Sequence, residues 1–332
     1  MSSSFAARFS ITLGLLMLNF AALVFAADGY DPLKIDTAFV PATVDFTFED
    51  TERKRELPVR VYLPAGKQSA PVILFSHGLG GSREGSVFLG THWASRGYVA
   101  VFLQHPGSDT SVWKDKPFAV RMTAMREAAS APNFLLRVKD VPAVLNQLEL
   151  WNKTEGHALA GRLDIARVGM SGHSFGAVTT QAVSGQKYPI GTVTYTDARI
   201  KAALVLSPSA PRTGDVKQAF GDIKLPWMIM TGTNDTSPIG NATAESRLLV
   251  YDALPTGGKY ELVLNKAEHS VFTERMLPGE KEPRNPNHQR SILALSTAFW
   301  DAYLRNDSAA KVWLDGDSPR GVLEKDDRWE RK

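Results

Sequence analysis

No cysteine occurs anywhere in the 332 residues, which excludes disulfides, thiol nucleophiles, thiolate metal sites and lipid attachment through cysteine. A chain without such staples relies on its core, and this length suits one large domain better than a small cross-linked module. Charge of one sign is scarce as well. Lys and Arg number 38 against 35 Asp and Glu, a formal +3 spread evenly along the chain, which argues against a nucleic-acid partner. Repeats, low-complexity tracts and linkers are missing, so nothing divides the sequence. H-E-x-x-H and clustered His–carboxylate spacings are missing too, so no metal site is expected.

One long apolar run is present, Ile11 to Phe25, behind a short polar start with Arg8 and ahead of the small residue Ala26. Asn19 interrupts it, and it falls short of the ~20 residues a membrane span needs. It therefore predicts a cleaved secretory signal over residues 1–26, export to the periplasm or beyond, and no membrane span in the mature chain.

From Ala42 onward short apolar stretches alternate with longer helical ones, the pattern of a mainly parallel sheet covered by helices. TVDFTFED and LPVRVYLP read as an opening antiparallel pair, followed by the strands APVILFSH, YVAVFLQHP, ARVGMSGH, AALVLSPS, LPWMIMTG and YELVLNKA. Helices are expected over Arg137–Leu150 and Arg290–Leu304. Residues 27–306 make the catalytic domain in this reading, and the charged segment Asp307–Lys332, with Trp313 and Trp329, packs on it as a peripheral tail. Gly107–Ala131 is longer than an ordinary strand-to-helix loop, and reads equally as a segment overhanging the site or as a surface excursion.

VGMSGHSFGAVTT, Val168 to Thr180, contains Gly172-His173-Ser174-Phe175-Gly176, a G-x-S-x-G between a strand and a helix. The bare pattern is weak, but in this setting it predicts a sharp turn that exposes Ser174 as a nucleophile. A serine hydroxyl needs a base to take its proton and a carboxylate to orient that base, in the chain order Ser, acid, His. Asp235, after WMIMTGTN, and His269, after YELVLNKAE, stand where such partners belong. Asn-Asp-Thr-Ser-Pro is also rich in turn formers, and on its own would make Asp235 a turn residue. Of the other histidines, His77, His92, His105, His157 and His173 precede Asp235, and His288 opens a helix.

The glycine-crowded stretch LFSHGLGGSREG, Leu74 to Gly85, is built to bring backbone N–H groups close to an anion. It fits neither the dinucleotide fingerprint, since Arg83 stands at the third glycine position, nor the P-loop, whose Gly-Lys-Ser/Thr is missing. An oxyanion is the better reading. The donors are then the backbone N–H groups of Leu79 in this loop and of Phe175 after the nucleophile, with His77 buttressing the loop.

With HGLGG, GHSFGA, Asp235 and His269 in this order, the chain resembles the α/β-hydrolase superfamily from about Ala42 to Leu304. Within it the likeness is to dienelactone hydrolase-like esterases and the platelet-activating-factor acetylhydrolase group. The resemblance implies an α/β-hydrolase fold, no cofactor, and hydrolysis of carboxylic esters through an acyl-enzyme, the substrate being a small-molecule, lipid or polymer ester. Acetylhydrolases carry their acid after the sixth strand, where this chain has Ser207. Asp235, after the seventh, is where most other superfamily members place it.

Overall fold

The computed structural model describes Met1 and residues 29–188, 194–211 and 213–332. Apart from Met1, the leader expected over 1–26 lies outside the described residues. Nine strands form one sheet: β1 (Ala42–Asp50), β2 (Arg55–Leu63), β3 (Ala70–Ser76), β4 (Val99–Leu103), β5 (Leu163–His173), β6 (Ile200–Leu206), β7 (Trp227–Asn234), β8 (Lys259–Glu268) and β9 (Arg328–Arg331). Their order across the sheet is β1-β2-β4-β3-β5-β6-β7-β8-β9. β1 and β2 pair antiparallel, β2 runs antiparallel to β4, the six strands from β4 to β8 are parallel, and β9 closes the far edge antiparallel to β8.

Strand chemistry follows position in this order. Every residue of β3 and β4 is buried, as expected of parallel strands covered on both faces, whereas β1 at the edge alternates between exposed and half-buried positions. One face is covered by α1 (Val87–Ser95) and α7 (Pro286–Leu304), whose Trp93 and Trp300 meet edge to face with centroids 5.9 Å apart. The other face carries α3 (Ala131–Lys153), which buries Val138, Val141, Leu145 and Leu148, a single stripe at helical spacing, against β2 to β5. On that face α4 (Phe175–Val183), α5 (Val216–Phe220) and α6 (Ala244–Ala253) cover β6 and β7, while α2 (Phe118–Ala128) follows β4. Among the described residues no helix is long and apolar enough to cross a membrane.

The chain reverses its direction of travel across the sheet at one place. From β3 it moves outward to β4, then returns past β3 to β5, so β3 and β5 are neighbours whose following segments leave in different directions. Such a reversal opens a crevice at the carboxyl ends of the two strands. The glycine loop follows β3 and Ser174 follows β5, so both motifs arrive at that crevice.

The segment read as a peripheral tail is part of the sheet and its core. Asp307 caps α8 (Ser308–Asp315) by accepting from the N–H groups of Ala309 and Ala310, and β9 then lays Trp329 over the Tyr260 ring, 5.6 Å away and nearly parallel. Trp329 is 7% exposed. Truncating it should therefore act as a core deletion. Trp329→Ala is expected to lower the unfolding free energy in urea by about 3 kcal/mol, and a loss below about 1 kcal/mol would show that β9 contributes little.

Candidate active site

A single residue turns the chain from β5 into α4. Ser174 lies between His173 and Phe175 with φ 57° and ψ −114°, a conformation that side-chain-bearing residues rarely adopt. Neighbours hold it there: its N–H donates to the Leu206 carbonyl at 3.0 Å and its carbonyl accepts from the Val178 N–H at 3.1 Å. The flanking glycines are required by close approach. A Cβ on Gly172 would overlap the Gly176 carbonyl, and one on Gly176 would overlap the Ser76 carbonyl at the end of β3. The second contact presses α4 against the strand that leads into the glycine loop.

Ser174 Oγ lies 2.8 Å from His269 Nε2, and His269 Nδ1 lies 2.6 Å from Asp235 Oδ1. His269 opens a short 3-10 turn immediately after β8, and Asp235 directly follows β7, so adjacent parallel strands deliver both side chains to the same rim. Asp235 is fully buried and also accepts from Ser207 Oγ at 2.6 Å and Thr231 Oγ1 at 2.8 Å, with Arg247 Nε 3.0 Å from Oδ1. Burial alone would raise its pKa. The neighbouring His269 and Arg247 and the Ser207 hydrogen bond outweigh that and hold the carboxyl well below the usual range. A carboxylate on the Nδ1 side fixes the imidazole tautomer: Nδ1–H donates to Asp235, which leaves Nε2 to accept the serine proton.

Several supporting residues carry no signal in the sequence. Arg247 of α6 is buried and donates to the main-chain carbonyls of Asp235, Ser207 and Pro208, so it ties together the segments after β6 and β7, with Nη2 passing 3.1 Å from His269 Nδ1. Ser207, where acetylhydrolases carry their acid, here donates to the acid from the next strand. His173 packs its ring 4.7 Å from that of His269 and donates from Nε2 to the His269 carbonyl at 2.9 Å. Burial, reinforced by His269, pushes the His173 pKa down to about 3.

The glycine loop faces this group. Gly78 backs onto Ser174, and a Cβ on it would lie 3.4 Å from the Ser174 Cβ. Inside the loop His77 donates from Nδ1 to the Gly78 carbonyl at 2.6 Å and accepts from the His105 N–H at 3.2 Å, while the Gly80 N–H donates to the Ser108 carbonyl at 2.9 Å. Among the described residues the N–H groups of Leu79 and Phe175 have no acceptor, and both residues are half-exposed. Arg137 of α3 links the two donors from beneath. Its guanidinium donates to the His77 carbonyl, to Ser76 Oγ at 3.0 Å, to Ser108 Oγ at 2.9 Å and to Thr179 Oγ1 at 3.1 Å, and stacks 4.6 Å from the Phe175 ring centroid.

Gly107–Ala131 overhangs this region. Trp113 Nε1 donates to the Gly80 carbonyl at 2.8 Å, and Met125 of α2 lies against Gly80. Phe118, Val120 and Met122 of α2 are exposed.

Four histidines are kept neutral by burial: besides His173, the His77 pKa is pushed well down and those of His92 and His105 to about 4, with Arg137 adding to the effect at His77 and His105. An unfolded histidine titrates near 6.5, so below that pH the unfolded chain binds protons that the folded one refuses. Stability is then complete above about pH 6.5 and falls as the pH drops, by up to about 1.4 kcal/mol per pH unit for each histidine. Urea midpoints should decline clearly between pH 7.5 and 5. A flat profile would mean that these imidazoles are charged in the folded protein.

Residues 54–117 match the family model described as platelet-activating factor acetylhydrolase, isoform II. The matched stretch covers β2, β3, the glycine loop with Leu79 and β4, and ends before α2. No curated protein matches the chain. Sheet order, flanking helices and this match together give an α/β-hydrolase fold, and the match supports an ester hydrolase of the lipase and esterase type.

Proposed function

We propose that the chain hydrolyses carboxylic esters through an acyl-enzyme on Ser174, with His269 as general base, Asp235 orienting it, and the Leu79 and Phe175 N–H groups receiving the oxyanion. The observation that carries this reading is the unbroken relay Ser174 Oγ, His269 Nε2, His269 Nδ1, Asp235 Oδ1, with separations of 2.8 and 2.6 Å. As Oγ attacks the ester carbonyl carbon its proton passes to Nε2, and the carbonyl oxygen takes up negative charge. Two N–H groups without protein acceptors beside Ser174 suit that charge and need no reorganisation to meet it. His269 next gives its proton to the departing alkoxide. A water then enters, loses a proton to the same nitrogen and attacks the acyl carbon, which releases the acid and restores Ser174.

The lipid-ester form of this reading is favoured by the acetylhydrolase match and by α2, whose exposed Phe118, Val120 and Met122 lie on the segment that overhangs the loop. A polyester offers the same chemistry to the same residues. The apolar run before Ala26 supports export as the setting. A non-enzymatic binding role on a hydrolase scaffold would need no such relay.

Ser174→Ala is expected to lower turnover of p-nitrophenyl acetate and butyrate by about 10⁴-fold or more while the circular dichroism spectrum stays unchanged; undiminished turnover would refute the mechanism. Asp235→Asn should cost a comparable factor, about 10⁴ in kcat, because the amide cannot select the tautomer; normal activity there would move the acid elsewhere. A short-acyl phospholipid, a long-chain triglyceride and an insoluble polyester, assayed side by side, separate the substrate classes.

A further inference from the structure

Outside the triad, three residues from separate parts of the chain converge without a partner of opposite charge. His288 stands in the first turn of α7, while Glu324 and Asp327 lie between the 3-10 turn Ser318–Val322 and β9, and their ligand-capable atoms come within 4.8 Å of one another. Asp327 is 3% and His288 5% exposed, whereas Glu324 is exposed and leaves the cluster open to solvent. Nε2 of His288 is buried and has no hydrogen-bond partner.

The carboxylates are held in place by neutral donors only. Asp327 accepts from the Asn265 N–H at 2.8 Å and from the Glu324 N–H at 2.9 Å, and Glu324 accepts from Asn285 Nδ2 at 2.9 Å. Among the described residues no Lys or Arg forms an ion pair with either acid. His288 forms none either, so its ring nitrogens stay beyond 4.0 Å from both carboxylates yet within 4.8 Å by one ligand atom. Burying an anion such as Asp327 without a countercharge is costly. Two ligands held about 2.1 Å from one ion lie up to about 4.2 Å apart, so a bridging cation needs the groups to draw together by up to about 1 Å, the exposed Glu324 by turning inward and His288 and Asp327 by a small shift of the segments that carry them.

We propose that His288, Glu324 and Asp327 bind one divalent transition-metal cation of the zinc class, with water completing its shell. An imidazole among two carboxylates suits such an ion better than calcium, which takes six to eight oxygen ligands. The ion would clamp the start of α7 to the segment leading into β9, and through Asp327 to Asn265 of β8. The ligands are too far apart in the chain to form a recognisable metal spacing, which is why the sequence shows none. The site is structural and does not depend on the ester-hydrolase reading.

Protein dialysed against EDTA is titrated calorimetrically with zinc sulfate and, separately, calcium chloride, with Tm followed in parallel. One zinc per chain and a Tm rise of about 3 °C at saturation are expected. Glu324→Gln, at an exposed position that the fold does not need, should weaken zinc binding at least tenfold, and Asp327→Asn should do the same where it folds. Absence of zinc uptake, undiminished uptake in Glu324→Gln, or stabilisation by calcium in place of zinc would each overturn the proposal.

Discussion

The contact on which the site rests is a backbone one: Gly176, in the first turn of α4, against the carbonyl of Ser76 at the end of β3. No side chain fits between them, so α4 lies directly on the strand that feeds the glycine loop. Ser174 and the loop are thereby fixed to each other at the centre of the sheet. The strained backbone of Ser174 is the local cost. Everything else in the site is arranged around that fixed pair.

Around it the polar groups are placed so that each has one job. Asp235 is surrounded by donors on every side, which keeps it anionic and leaves its Oδ1 aimed at Nδ1 of His269. Arg247 packs beside Asp235 at the Nδ1 edge of the imidazole, and His173 packs against its ring while donating to the His269 carbonyl. Beneath the loop, Arg137 is the counterpart of Arg247, joining the His77 carbonyl to the Phe175 ring. Its neighbour Asp140 pairs with Arg53 and Arg55 and accepts from His105 Nδ1, which anchors the layer under the loop. The proposed reaction would need little rearranging of a site held in this way, which is the condition under which backbone donors are most effective.

Much of this architecture was legible in the sequence because buried parallel strands are continuous apolar runs and their order of motifs is dictated by topology. The eight strand stretches from TVDFTFED to YELVLNKA coincide with β1 to β8, and Arg137–Leu150 and Arg290–Leu304 lie within α3 and α7. β9 escaped because Arg-Trp-Glu-Arg has one apolar residue among three charged ones, and at a sheet edge a single inward tryptophan is enough. The role of Gly107–Ala131 was open because nothing in its composition fixes where Trp113 points. Arg137, Arg247 and Ser207 were illegible for a different reason: each is a lone residue whose partners come from other elements, so no spacing announces it. Within the site, the residues named from motif and order, Ser174, Asp235, His269, Leu79 and Phe175, meet at one crevice, and the groups that hold them there were visible only in three dimensions.

Ser174 is the group that forms the acyl bond in the proposed reaction, and a fluorophosphonate tests this directly, because it transfers its phosphonyl group to an activated serine and mimics the tetrahedral stage. Intact-mass and peptide mass spectrometry should find one adduct per chain, on the peptide carrying Ser174. Labelling of another residue, or no labelling under conditions that modify a known serine esterase, would contradict it.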